Sequence, residues 1–436
     1  MSLAAATARG GPLTLALSHA FACRLRRYAR IPIESLRVRG PFIAYCSPES
    51  TFAVTKQRFD AARRSIRIGI YDFTASWMEQ LVVDALSRGV AVSLLLDLAG
   101  APETTVFQRL LRKGVVGAPA PSCTGAAHYF TNFHEKVIVI DDEWTLVQSG
   151  NYSHAGIPEN VTDGGAVRDF QPGNRDMGVA VRSRPLASFF AERFRADLGL
   201  ARAPRARTAV RAAALAGAPL LAAAPRVPRA RFRSRLLRPL RPVTVRPVLT
   251  PDNFLEVVPP WLAGARQSIH IEMQYIRARQ PKVRRLLAAI ASARAAHPRL
   301  DVRVILAAPL MPDDLATERR ELRTLAHEYG LALGTQVRIL NPRYFVHCHN
   351  KLVILDRHDV LVGSQNWSDT AISSNRESSL LVAYPALAHH FERIFASDWA
   401  TALRALPKPR AAVTAPHATL RRIRTVTLDP GDFEQV

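Results

Sequence analysis

HEKVIVID at residues 134–141 returns as HNKLVILD at 349–356, and a repeat of this kind restricts a chain more than its composition does, because equivalent structure must house both copies. The surroundings repeat as well. SPES followed by AARRSIRIGIYDF (61–73) answers to TPDN followed by GARQSIHIEMQYI (264–276), with 14 positions from Pro48 to Ala62 and 14 from Pro251 to Ala265. His134 to Asn151 and His349 to Asn366 are both 17 positions, and Asn174 to Asp197 and Asn375 to Asp398 are both 23. The chain is a tandem duplication.

Each half reads as strand, helix, strand, helix, two adjacent apolar strands and a closing amphipathic helix with phenylalanines four apart (Phe190 and Phe194; Phe391 and Phe395). Strands alternating with helices predict an α/β sandwich, and runs such as KVIVID, apolar on both faces, predict central strands covered on both sides. The expected fold is α/β, two tandem α/β/α sandwich units related by a pseudo-twofold axis. The expected organisation is a basic leader over 1–40, a first domain over 41–200, a linker rich in Arg, Ala and Pro over 201–247, a second domain over 248–405 and a tail over 406–436.

Charge is concentrated in the linker. The formal net charge is +23, and residues 198–251 carry 12 Arg, no Lys and no acid. Such a segment reads either as a solvated tether or as an arm that holds anionic membrane or nucleic acid by charge attraction and counterion release. No run of 18 apolar residues occurs, so no transmembrane helix is expected; the first 33 residues carry five Arg and no acid and leave a secretory or transit signal open beside a plain basic leader. The four cysteines, Cys23, Cys46, Cys123 and Cys348, form no C-x-x-C pair, which argues against a structural zinc site or a disulfide-dense scaffold.

Residues two apart on a strand share a face. His134 and Lys136 therefore point together, as do His349 and Lys351, while Ser149 with Asn151 and Ser364 with Asn366 lie on the next strands. Asp141 and Asp356, seven positions after each His, fall on the opposite face and read as structural anchors. Two imidazoles, two ammonium groups and two carboxamides suit an anionic phosphodiester: one imidazole can attack phosphorus, the other can protonate the leaving oxygen, and the cations and amides can hold the nonbridging oxygens. An attacking imidazole needs an acceptor at its far nitrogen, and Asp176 and Glu377, in the paired NRD and NRE stretches, are the candidates. No carboxylate cluster with metal-ligand spacing accompanies them, so neither metal nor other cofactor is expected. HCH at 347–349 puts His347 and His349 on one face without a second pair. Tyr129 and Tyr344, five residues before each motif His, read as packing.

The pattern H-x-K-x4-D-x6-G-S-x-N is complete in His349, Lys351, Asp356, Gly363, Ser364 and Asn366, and it resembles the signature of the phospholipase D superfamily. The first copy matches at His134, Lys136, Asp141, Ser149 and Asn151 but has Gln148 where that family has Gly, a departure expected to narrow the phosphate pocket on one side. The resemblance implies a two-step reaction through a phosphohistidine, with His134 as nucleophile and His349 as general acid and then base. It also implies that Lys136, Lys351, Asn151 and Asn366 hold the phosphate, with Ser149 and Ser364 beside it. The first half has 14 extra residues between Asn151 and Asn174, a loop expected near the site.

Phospholipid hydrolysis, phosphatidyl transfer as in cardiolipin synthesis and nucleic-acid cleavage all use this arrangement in the family. The favoured reading is hydrolysis of phosphatidylcholine-like lipids to phosphatidic acid, by analogy with two-copy chains of this size. A metal-independent nuclease is the runner-up, and a polyanion-binding protein with an inactive site is the non-enzymatic alternative. With both motif copies in one chain, a monomer is self-sufficient.

Overall fold

The computed structural model describes residues 23–203 and 225–408. Expectations that fall on residues 1–22, 204–224 and 409–436, including the signal reading, part of the linker and most of the tail, lie outside the described residues. After β1 (Leu36–Val38), the first half runs β2 (Phe42–Ser47), α1 (Thr51–Asp60), β3 (Ser65–Ile70), α2 (Ser76–Ser87), β4 (Ala91–Leu96), α3 (Ala101–Arg112) and β5 (Val116–Pro119). It continues through β6 (Lys136–Ile140), β7 (Trp144–Gln148), β8 (Asp176–Arg182) and α4 (Arg184–Arg202). Then come β9 (Arg235–Leu237) and a second half that repeats the order. Its elements are β10 (Val243–Thr250), α5 (Phe254–Ala263), β11 (Ser268–Met273), α6 (Pro281–Ala296), β12 (Asp301–Leu306), α7 (Pro312–Tyr329), β13 (Val337–Ile339), β14 (Lys351–Leu355), β15 (Asp359–Gly363), β16 (Glu377–Ala383) and α8 (Pro385–Thr401).

Two eight-stranded sheets result, ordered β5-β4-β3-β6-β7-β8-β2-β9 and β1-β10-β16-β15-β14-β11-β12-β13. The α/β fold of two like halves is thus the one expected. Alternation within the central strands shows why both faces must be covered. Ile138 and Ile140 of β6 pack outward with Met78, Leu81 and Val82 of α2, whereas Val137 and Val139 pack inward. In β14, Val353 and Leu355 face outward and Leu352 and Ile354 inward. The inward sets of both halves merge into one core with Phe190 of α4 and Phe391 of α8. Burying a shared apolar layer is what holds the halves together.

The edge strands are exchanged. β1 precedes the first half yet pairs antiparallel with β10 of the second, Leu36 opposite Val245. β9 precedes the second half yet pairs with β2 of the first, Leu237 opposite Phe42. The segment expected to be linker as far as residue 247 is therefore built into both sheets from Arg235 onward. A three-residue strand flanked by arginine and proline carries no period that sequence could reveal.

Cys23 and Cys123 are joined by a disulfide, and the chain after Cys23 lies across both halves: Arg26 N donates to His128 O (2.7 Å), while Tyr28 Oη and Ile31 N donate to Asp252 of the second half (both 3.1 Å). Cys46 and Cys348 are free and buried. Among the described residues no helix is long and apolar enough to cross a membrane.

Candidate active site

Each motif histidine stands just before its strand and is fixed by main chain of the other half. His134 N donates to Arg376 O (2.8 Å), and His349 N donates to Arg175 O (3.0 Å). Because Arg376 and Arg175 directly precede Glu377 and Asp176, the same pairing brings each carboxylate to the opposite imidazole. His134 Nδ1 lies 2.8 Å from Glu377 Oε2, and His349 Nδ1 lies 3.0 Å from Asp176 Oδ1. The two rings are 6.4 Å apart between centroids, and their side chains retain 13% and 11% exposure, enough for a small group to reach both.

The lysines lie beneath. Lys136 Nζ donates to His134 O (2.6 Å), and Lys351 Nζ donates to His349 O and to Gln274 Oε1 (3.3 Å). Lys136 also sits over the ring of Tyr71 (5.3 Å), which meets His134 edge-on. Tyr71 and Gln274 occupy equivalent places after β3 and β11, and sequence reading missed both because their chemistry differs. Burial, reinforced by the two lysines, holds His134 well below its ordinary pKa; burial and then Lys351 bring His349 down to about 4. Burial also lowers Lys136 to about 7 and Lys351 to about 8, and raises Glu377 to about 8. The centre therefore presents neutral imidazoles above lysines that titrate near neutrality.

Asn151 Oδ1 and Asn366 Oδ1 are buried without a protein hydrogen-bond partner. Ser149 and Ser364, read from sequence as phosphate contacts, are instead wholly buried behind the carboxylates. Ser149 Oγ donates to Asp176 (2.7 Å), and Ser364 Oγ accepts from Ser378 N (3.0 Å) and bonds Glu377. Their hydroxyls are spent on orienting the acids. Asp141 and Asp356 lie away from the centre: β6 and β14 end before them, their φ angles are 55° and 53°, and their carboxylates accept from the backbone N–H groups of residues 63–65 and 266–268.

Gln148 does not narrow the pocket. Its side chain turns to Tyr45, whose hydroxyl donates to Gln148 Oε1 (3.1 Å), and its ladder partner is Gly178, where an added Cβ would meet the Tyr45 ring at 2.4 Å. In the second half the small residue is Gly363 and the larger one is Ser379 across the ladder. The residue between each His and Lys is not filler either. Glu135 accepts from Ser378 Oγ (2.8 Å) of the other half, and Ser149 Oγ lies 3.4 Å from Asn350 Oδ1.

Behind the dyads sit two buried charge clusters. Arg175 donates to Glu49 (2.7 and 3.1 Å) and to Asp398 of α8 (3.2 Å); Arg376 donates to Asp197 of α4 (2.7 and 3.1 Å) and to Asp252 (2.7 Å). Each arginine ties the helix of the opposite half to the residue next to a dyad acid. The repeat spacing ending at Asp197 and Asp398 was the available signal. The extra loop of the first half joins this region, since Gly164 N donates to Glu49 O (3.1 Å), and Trp77, His154, Glu159 and Gln171 line a cleft beside the loop. His347, next to Gln274 (3.3 Å), is held at about 3 by burial and His349. Among the described residues no group of three or more His, Cys, Asp or Glu is placed to hold a metal ion.

A family model described as cardiolipin synthase, PLD-like domain, matches residues 55–198 and 261–399. Mitochondrial cardiolipin hydrolase of Danio rerio is 35% identical over 54 residues, a match spanning 12% of this chain and 24% of that protein. Phosphatidylserine synthase of Haemophilus influenzae superposes with a TM-score of 0.57 over 86% of this chain and 90% of its own, at 13% identity, a likeness of fold. Nuc, a phospholipase D family member from Salmonella typhimurium, covers 38% of this chain and 99% of its own at 23% identity, with a TM-score of 0.31. With both repeats, and more than half of the chain, matched by one family model, the protein belongs to the phospholipase D superfamily.

Proposed function

We propose that the protein is a phosphodiesterase that hydrolyses phospholipid head groups through a phosphohistidine, without a metal ion. The observation that carries this reading is the crossed pair of dyads, His134 with Glu377 and His349 with Asp176. With Nδ1 engaged on both rings, Nε2 of each is left for the substrate. His134 Nε2 attacks phosphorus while His349, which must enter this step as the imidazolium, a form favoured by Asp176 and by the arriving anionic diester, gives its Nε2 proton to the leaving head-group oxygen, and the phosphorus–oxygen bond breaks. His349, now neutral, takes a proton from water as the water oxygen bonds to phosphorus and the phosphorus–nitrogen bond breaks, releasing phosphatidic acid. His349 suits the acid role because Asp176, hydrogen-bonded to its Nδ1, favours the protonated ring. Lys136, Lys351, Asn151 and Asn366 stabilise charge on the nonbridging oxygens.

A lipid substrate is supported by the surroundings. Pro309, Leu310, Leu340, Phe345 and Val346 line an apolar cavity, which shares Ala308, Pro309, Leu310 and His347 with the polar cleft at Gln274 and Tyr275. The enclosed part of the first is only about 20 Å³, so an acyl chain would lie in the open cleft of about 210 Å³ against Ala307, Ala308, Pro309 and Leu310. The test is turnover by the purified protein, in excess chelator, on phosphatidylcholine vesicles and on single- and double-stranded DNA, with His349→Ala as blank. Release of choline and phosphatidic acid is expected. Cut DNA with intact lipid, or activity that disappears with chelator and returns with added metal, overturns the reading.

A further inference from the structure

The described part of the arginine-rich segment is neither a tether nor an ordinary edge strand. Arg226, Arg229, Arg231, Arg233, Arg235, Arg238 and Arg241 are all exposed, and no acidic residue lies among them. Among the described residues none of these seven is in an ion pair with a carboxylate; Arg231 reaches only the Gly165 carbonyl. The segment is nonetheless held firmly. β9 pairs with β2, Leu237 is 7% exposed against the shared core, and Ser234 donates from N and from Oγ to the carboxylate of Asp163 (2.7 Å each).

Held in this way, the segment displays leucines where burial was available to Leu237. Leu236 is 50% exposed and Leu240, at the bend before β10, is fully exposed. The extra loop of the first half, clasped through Asp163 and Gly165, adds Val161 and Val167 at 63% and 64% exposure; its exposed Arg168 is paired with the exposed Asp169 (3.4 Å) and adds no net charge. Edge strands are commonly guarded by charge, but a guard does not require fully exposed leucine. Nucleic acid would use the arginines and leave these aliphatic side chains in water. A bilayer uses both: guanidinium groups pair with lipid phosphates while leucine and valine enter the headgroup boundary.

We propose that Arg229–Arg241, with the loop tips Val161 and Val167, form a docking surface for an anionic lipid bilayer. This surface stands apart from the catalytic residues and does not depend on which phosphodiester they cleave. It also places the extra loop, whose base joins Asn174 beside the Asp176 dyad, against the membrane.

The test is co-sedimentation of the full chain with vesicles of phosphatidylcholine alone and of phosphatidylcholine with phosphatidylglycerol, for the wild type and for a Leu236→Ser, Leu240→Ser double variant. Binding of DNA oligonucleotides is measured in parallel, and turnover of bis(4-nitrophenyl) phosphate serves as a membrane-free control. Expected are a preference for the anionic vesicles, a loss of at least about tenfold in their binding by the double variant, and unchanged turnover of the soluble diester and unchanged DNA binding. Equal binding to both vesicles, or vesicle binding insensitive to the leucines, overturns the proposal. Because vesicle binding is read without lipid cleavage, failure of lipid hydrolysis leaves this result separately legible.

Discussion

His134 and Glu377 are 243 residues apart in the chain and 2.8 Å apart in space. The converse pair, His349 and Asp176, is 173 residues apart in the chain and 3.0 Å apart in space, so each dyad takes its imidazole from one half and its carboxyl group from the other. Neither half contains a working pair of its own.

Replacing His134 or His349 with Ala is expected to lower kcat about 10³-fold or more, since in the proposed mechanism each supplies a covalent or proton-transfer step. The two variants are told apart by rapid acid-free quenching on denaturing gels with labelled substrate: only the His349→Ala chain can retain label. Label on the His134→Ala chain reverses the order of roles.

Asp176→Asn and Glu377→Gln keep shape but replace the carboxyl group that orients Nδ1 with an amide. A fall in kcat of about 10²- to 10⁴-fold with little change in KM is expected. Steady-state kinetics check this, and near-wild-type kcat in both variants would remove the carboxylates from the mechanism.

The lysines set an alkaline limb. Lys136 and Lys351 lose their protons at about 7 and 8, so the cations that attract an anionic diester are present below that window and lost as pH rises through it. The pH profile of kcat/KM is therefore expected to fall across about pH 7 to 8. A flat profile to pH 9 contradicts a cationic role for both.

Asp356 gathers three backbone N–H groups far from the imidazoles. Asp356→Ala is expected to cost about 2 kcal/mol in urea unfolding while kcat of the folded protein stays within about twofold. A large kcat loss at unchanged stability would move Asp356 into the chemistry.

The Cys23–Cys123 bond closes a loop of 100 residues and holds the leader across both halves. Cys23→Ser or reduction is expected to lower stability by about 2–4 kcal/mol, read as a lower Tm. An unchanged Tm in both conditions would mean that the bond contributes nothing to folding.

The two-half α/β plan was legible because β6 and β14 carry the apolar runs VIVI and LVIL at matched positions of the repeat. Asp176 and Glu377 were legible as acid candidates because they repeat in register with the motifs, although their crossing between halves was not, since spacing says nothing of which half an acid faces. Ser149 and Ser364 were misread because a hydroxyl near a phosphate site and a hydroxyl behind a carboxylate look alike in sequence. Gln148 was misread because its compensation, Gly178, lies on another strand. Tyr71 and Gln274 were invisible for a different reason: equivalent positions carry unlike side chains. The disulfide joins cysteines whose proximity depends on the leader crossing the fold.

The exchange of β1 and β9 has a consequence for how the duplication can be taken apart. A cut between α4 and β9 gives an amino-terminal fragment with a spare arm, β1, and an unguarded sheet edge at β2; the carboxy-terminal fragment has the spare arm β9 and an open edge at β10. Each piece carries the strand that completes its counterpart. The natural product of such a cut is a complementing heterodimer, and the two repeats behave as interlocked partners instead of separable modules.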